Sequence, residues 1–89
     1  MTDERETRLK RLRIRAWRRG TKEMDLILGP FADGPLVDLD GPALDAFEAL
    51  MDEGDNDLYT WIAGTADAPE AHLPSIMLLR RFHGIAGTP

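Results

Sequence analysis

The chain has no cysteine, and its 89 residues include only two histidines. The absence of cysteine excludes disulfides, thiolate metal sites and a thiol nucleophile. No segment approaches the roughly 18 consecutive apolar residues that span a bilayer. The N-terminus lacks a signal-peptide core, and its early acidic residues are unlike those of a mitochondrial transit peptide. We therefore expect a bacterial cytoplasmic protein that is not inserted in a membrane.

Groups for catalysis or for binding a metal are also scarce. Neither His72 nor His83 has a neighbour at the spacing of metal ligands. The sequence contains no phosphate-binding glycine motif and no dinucleotide fingerprint. Asp55 and Asp57 resemble the start of a calcium loop, but the glycine and the distal glutamate of that loop are missing. The sequence predicts a binding protein rather than an enzyme, with no catalytic residue, no metal and no tightly bound cofactor.

Charge is distributed unevenly, although the net charge is only −5. Nine of the eleven basic residues lie in Met1–Lys22, whereas Glu23–Leu79 contains thirteen of the sixteen acids and no lysine or arginine. A basic segment on an acidic body is typical of a nucleic-acid arm or of a surface matched to an acidic partner. The acidic body would repel a phosphate backbone, which disfavours nucleic acid. A solvated helix face explains the same pattern.

Hydrophobic periodicity predicts five short helices and no sheet. The predicted helices cover about 4–18, 21–32, 40–53, 55–64 and 74–83, with an extended linker at 36–39. Pro30 predicts a kink or early fraying at the end of the second helix. Residues 1–3 and 84–89 are expected to be mobile. The chain is thus predicted to be a single all-α domain over residues 1–89, a small bundle of five short helices.

The periodic apolar positions also predict the core. Phe47 and Trp61 are expected to be buried where helices meet. Trp17 is expected either to pack on the second helix or to face a partner. The other predicted core residues are Leu9, Leu12, Ala16, Met24, Ile27, Leu28, Phe31, Leu44, Leu50, Met51, Leu58, Ile62, Ile76, Leu79 and Phe82.

The junction of the first two predicted helices combines charge with an open backbone. It reads Arg18-Arg19-Gly20-Thr21-Lys22-Glu23-Met24-Asp25. Gly20 can adopt positive φ and leaves no side chain between the backbone and an approaching group. Thr21 suits an N-cap, and Glu23 suits the first turn of a helix. By itself an Arg-Gly-x-x-Glu sequence is equally typical of a solvated turn.

Two blocks of the sequence resemble the succinate dehydrogenase assembly factor 2 family, called SdhE in bacteria. The first block is 19–28 followed by Phe31-Ala32, and the second is 55–62. Together the blocks extend the resemblance over roughly residues 8–82. The resemblance implies a small helical protein that binds the flavoprotein subunit of succinate dehydrogenase, or sometimes of fumarate reductase, and promotes covalent attachment of its FAD.

The resemblance also implies where the partner binds. The family motif carries over directly onto Arg19, Gly20 and Glu23. Its flanking candidates are Arg18, Lys22 and Asp25. Arg19 and Glu23 are expected to bond across the interface of a monomeric assembly factor. The alternative function is an interaction module such as an antitoxin, and a nucleic-acid-binding regulator is less favoured.

Overall fold

The structure, a computed structural model, describes residues 4–84 and contains five α-helices in that range. They are α1 (Glu4–Ala16), α2 (Lys22–Asp33), α3 (Gly41–Leu50), α4 (Asp55–Ala63) and α5 (Leu73–Phe82), with a 3₁₀ helix at Pro35–Asp38. No strand occurs between residues 4 and 84. The predicted all-α bundle of five short helices is therefore confirmed. The predicted mobile ends lie outside the described residues, except for Gly84.

The helix ends follow from local chemistry. The Thr21 side chain accepts the Met24 N–H at 3.2 Å and begins α2, and Asp40 accepts the Ala43 N–H at 2.9 Å and begins α3. These side chains satisfy donors that a helix start leaves free. Gly64 ends α4 with φ of 84°, a left-handed conformation that glycine adopts without steric cost. All three predicted boundaries are confirmed.

Pro30 does not end α2, which continues to Asp33. The predicted early fraying is wrong because Trp17 packs over this turn from the end of α1. A Cβ atom on Gly29 would overlap with Cε2 of the indole, and the indole Nε1 donates to Asp33 Oδ2 at 3.1 Å. This tertiary contact outweighs the local preference of the proline. It also shows that Trp17 packs on the second helix while remaining partly exposed.

We predict that Gly29→Ala displaces the Trp17 ring and destabilises the fold by about 1–3 kcal/mol, because no room exists for the added methyl group. The matched control is Gly41→Ala in α3, where an added Cβ meets no atom within 4 Å. Thermal unfolding and the red shift of tryptophan fluorescence measure the effect. Equal melting temperatures for the two variants would contradict the packing.

The segment predicted as an extended linker is instead the 3₁₀ helix. Leu36 is completely buried within it, and Pro35 occupies its first turn, where a missing N–H costs nothing. Burial of Leu36 requires the chain to turn back onto the core directly after α2. The linker interpretation is wrong because it treated this leucine as a connecting residue.

One hydrophobic core unites the helices. Phe47 is 1% exposed, and its ring stacks on Phe31 with centroids 5.4 Å apart. Trp61 is only half-buried, with its ring 5.7 Å from that of His72, and Phe82 is exposed at the core's edge. The predicted burial of Phe47 is confirmed, whereas Trp61 and Phe82 are less buried than predicted.

Acidic residues of the body pair with part of the basic first helix. Arg8 forms ion pairs with Asp45 and Glu48, each at 2.6 Å, and Arg15 pairs with Asp52 at 2.8 Å. Hydrogen bonds to Asp45 and Glu48 raise the pKa of the Arg8 guanidinium above its ordinary value. The uneven charge along the sequence is therefore partly matched within the molecule.

Candidate functional site

The predicted partner-binding residues all lie in the α1–α2 corner, residues 18–25. α1 ends at Ala16 and α2 begins at Lys22, so the chain changes direction over five residues. The corner rests against the α3–α4 loop and the first residue of α4, which are 32 to 36 residues further along the chain. The structure thus brings together two segments that the sequence separates widely.

The side chain of Arg19 is directed into the protein and is only 11% exposed. Its Nε donates to Asp55 Oδ1 at 2.7 Å. Its Nη1 and Nη2 donate to the carbonyl oxygens of Met51 and Glu53 at 2.8 and 2.7 Å. All three guanidinium nitrogens therefore bond within the chain, which makes Arg19 a link between the corner and the α3–α4 loop.

Gly20 is required here by a close approach rather than by positive φ. Its N–H donates to Asp55 Oδ2 at 2.7 Å, and a Cβ on Gly20 would lie 2.8 Å from the same oxygen. Within residues 4–84, only Gly64 and Gly84 have positive φ. The open backbone that the sequence predicted at Gly20 is thus occupied by a carboxylate of the chain itself.

Asp25 also bonds inside the corner. Its Oδ1 accepts the backbone N–H of Arg19 at 2.6 Å, which fixes the segment before α2 from the other side. With the Thr21 cap, these contacts hold the backbone of the corner on both sides. Asp25 and Arg19 are both partly buried.

Three of the predicted residues face solvent. The side chains of Arg18, Lys22 and Glu23 are exposed and make no hydrogen bond or ion pair with any other residue in the 4–84 range. A charged group without an internal partner can bond to another molecule at no cost to the fold. Among the predicted residues, these three are the candidates for direct contact.

A shallow pocket of about 280 Å³ lies beside Glu23. Its lining residues are Thr21, Glu23, Met24, Asp55, Asn56 and Tyr59. The first two turns of α2 and α4 form its two sides, and Tyr59 supplies a half-exposed aromatic ring. The two sequence blocks that carry the family resemblance therefore form one surface.

Sequence reasoning missed the role of Asp55. The fourth predicted helix begins at Asp55, and Asp55 is the first residue of α4, whose N-cap Gly54 makes no side-chain hydrogen bond. The Asp55 carboxylate accepts hydrogen bonds from Arg19 Nε and from the Gly20 N–H. The one signal in the sequence was its position at the head of the second block.

No group of three or more His, Asp or Glu side chains in residues 4–84 is arranged to bind a metal ion. Each helix in the same range is too short or too polar to cross a membrane.

Comparison with known proteins gives consistent relatives. The chain is 42% identical over 60 residues to succinate dehydrogenase assembly factor 2, mitochondrial, of Mycosarcoma maydis, which covers 67% of this chain and 25% of that protein. It is 32% identical over 80 residues to assembly factor 2-B, mitochondrial, of Drosophila mojavensis, covering 88% of this chain and 51% of the relative. The chain thus spans about half or less of the length of these curated relatives.

These relatives overturn one expectation and support another. The expected bacterial cytoplasmic location is wrong on this comparison, because the relatives are mitochondrial proteins of eukaryotes by name. The resemblance to the assembly factor 2 family is confirmed. A family model described as flavinator of succinate dehydrogenase matches residues 10–83, which is most of the sequence. The chain therefore belongs to the succinate dehydrogenase flavinator family.

Proposed function

We propose that the chain binds the flavoprotein subunit of succinate dehydrogenase and promotes covalent attachment of FAD to that subunit. The description of its family and the names of its relatives support this function. The structural observation that carries it is Glu23, a carboxylate without an internal partner that is presented by a corner fixed on both sides. In this proposal the chain is a monomeric assembly factor, neither an enzyme nor a holder of FAD.

Binding alone can accelerate a reaction in the partner. Covalent attachment requires a histidine of the flavoprotein to stand in attack geometry against the flavin, and small misplacements cost large factors in rate. A rigid surface that binds only the aligned conformation of the flavoprotein raises the population of that conformation by its differential affinity. The chain then needs no catalytic group of its own.

The corner residues divide into two roles in this proposal. Glu23, Arg18 and Lys22 contact the flavoprotein through their free charges, and the neighbouring Tyr59 ring adds apolar area. Arg19 and Asp25 act inside the corner, because their donors and acceptors are bonded within the chain. Within the Arg-Gly-x-x-Glu motif, Glu23 thus contacts the flavoprotein, while Arg19 and Gly20 hold the corner in place.

We predict that Glu23→Ala folds normally and binds the flavoprotein more weakly by about 2 kcal/mol or more, because a charged contact at the interface is lost. The control is Glu6→Ala, which removes an exposed carboxylate from the first turn of α1. Calorimetric titration with the flavoprotein lacking FAD measures binding, and flavin fluorescence on a denaturing gel measures attachment. Wild-type affinity and normal attachment with Glu23→Ala would remove Glu23 from the mechanism.

The same titration identifies the client. The flavoprotein subunits of succinate dehydrogenase and of fumarate reductase are tested in parallel with the wild-type chain. Binding and enhanced attachment with the first are expected. Failure with both subunits would overturn the proposed function.

A further inference from the structure

We propose that Asp55 is a positioning residue for the flavoprotein contact, a role that rests on the proposed function. Its carboxylate holds the corner in the one conformation that presents Glu23. The Asp55 clamp is defined here as the two hydrogen bonds from Arg19 Nε and the Gly20 N–H to the two oxygens of this carboxylate. Asp55 is not needed as a contact in its own right.

The geometry of the clamp favours rigidity. Each oxygen of Asp55 accepts from a different donor at 2.7 Å, and the donors belong to consecutive residues, one from a side chain and one from the backbone. Both bonds involve an ionised carboxylate, and such hydrogen bonds are roughly twice as strong as neutral ones. The side chains of Asp55 and Arg19 are 20% and 11% exposed, so water competes weakly for the bond between them, whereas the Gly20 bond lies at the surface.

The segment directly before Asp55 is itself held by contacts with other parts of the chain. The guanidinium of Arg19 binds the carbonyl oxygens of Met51 and Glu53, which lie in the α3–α4 loop shortly before Asp55. On the far side of this loop, the Glu53 carboxylate lies 2.9 Å from Nε2 of the buried His72. The loop is therefore connected to the corner and to the start of α5, and it cannot follow a moving corner freely.

Loss of the clamp would leave the Glu23 carboxylate intact but would fix its position less well. Arg19 would keep its bonds to the Met51 and Glu53 carbonyl oxygens, but the Gly20 N–H would lose its acceptor. Because Gly20 has no side chain to limit its backbone, the chain just before α2 would then gain conformational freedom. The affinity of a ligand for a protein falls in proportion to the fraction of molecules that are competent to bind. Asp55 therefore controls affinity without touching the flavoprotein.

The first test compares two acids of the same helical turn. Asp55→Ala is expected to weaken flavoprotein binding about tenfold or more, since two charge-assisted bonds are lost. Asp57→Ala removes an exposed carboxylate two residues away and is expected to change binding less than twofold. Asp55→Asn should lie between them, because its amide oxygen replaces only one of the two acceptors and its NH₂ faces a donor. Each variant is titrated below its own melting range.

A double-mutant cycle separates positioning from contact. Arg19→Ala with Asp55→Ala should weaken binding by less than the product of the two single effects, because the two variants share the loss of the Arg19 Nε–Asp55 bond. Glu23→Ala should cost its full fold-change in the Asp55→Ala background. Independent effects of Arg19 and Asp55 would overturn the assignment.

The free protein provides a readout that does not depend on the flavoprotein. The Gly20 amide proton should move upfield and exchange faster with solvent in Asp55→Ala, but not in Asp57→Ala. An unmoved Gly20 amide, or a moved amide with unchanged flavoprotein affinity, overturns the positioning role. If the wild-type chain binds no flavoprotein, the proposed function fails, while the Gly20 amide still decides whether the clamp exists.

Discussion

Replacement of Phe47 by alanine is expected to lower the free energy of unfolding by about 3–5 kcal/mol. Phe47 is 1% exposed and stacks on Phe31, whose ring also contacts Phe82 edge-on at 5.6 Å. Truncation therefore leaves a cavity beside the Phe31 ring. In a chain of 89 residues this loss is a large part of the total stability. The thermal midpoint should fall by about 15 °C or more.

Tyr59→Ala is the control for this prediction. Tyr59 is an aromatic residue of α4 that is 51% exposed, so its removal should change stability far less. Trp61→Ala should fall between the two, because its ring is half-buried against His72. Melting of Phe47→Ala near the wild-type temperature would show that α3 does not bury this face.

Gly20→Val is expected to abolish detectable covalent flavin attachment in the client. The first added atom would stand 2.8 Å from Asp55 Oδ2, a distance that forces the carboxylate away and breaks its bond to the Gly20 N–H. The bulk that follows lies at the surface beside Glu23. Attachment is measured as flavin fluorescence on a denaturing gel, in cells in which this chain is the only assembly factor.

Gly54→Val is the matched substitution for Gly20→Val. Gly54 immediately precedes Asp55, and an added Cβ there meets no atom within 4 Å. Valine is less favourable than glycine at an N-cap, so a small loss of stability is expected without loss of attachment. Normal attachment with Gly20→Val, or equal loss in both variants, would show that the space at Gly20 has no special role.

The helices and most of their caps were predictable from the sequence, because their causes are local. The spacing of Leu9, Leu12 and Ala16 defines one side of α1, and each of these residues is buried. Thr21 and Asp40 act on donors within three residues. Periodicity and capping need no knowledge of the tertiary fold.

The other features of the fold and of the site could not be predicted, because they depend on contacts between residues that are far apart in the sequence. Nothing local indicates that Trp17 would cover Gly29 and carry α2 past Pro30. Similarly, the sequence gives no sign that Arg19 has a partner within the chain, and only the fold shows that its guanidinium bonds to Asp55. The sequence places the motif residues next to one another, but only the structure shows which of their groups bond within the chain.

The separation between the corner and its supports has a consequence for synthesis of the chain. The acceptors that fix Arg19 and Gly20 belong to residues 51–55, which leave the ribosome after α3 is complete. A nascent or truncated chain that lacks residues 51–55 would display the Arg-Gly-x-x-Glu sequence without the hydrogen bonds that fix Arg19 and Gly20. Under the function proposed above, only a chain synthesised past residue 55 can present the corner in its folded conformation to the flavoprotein.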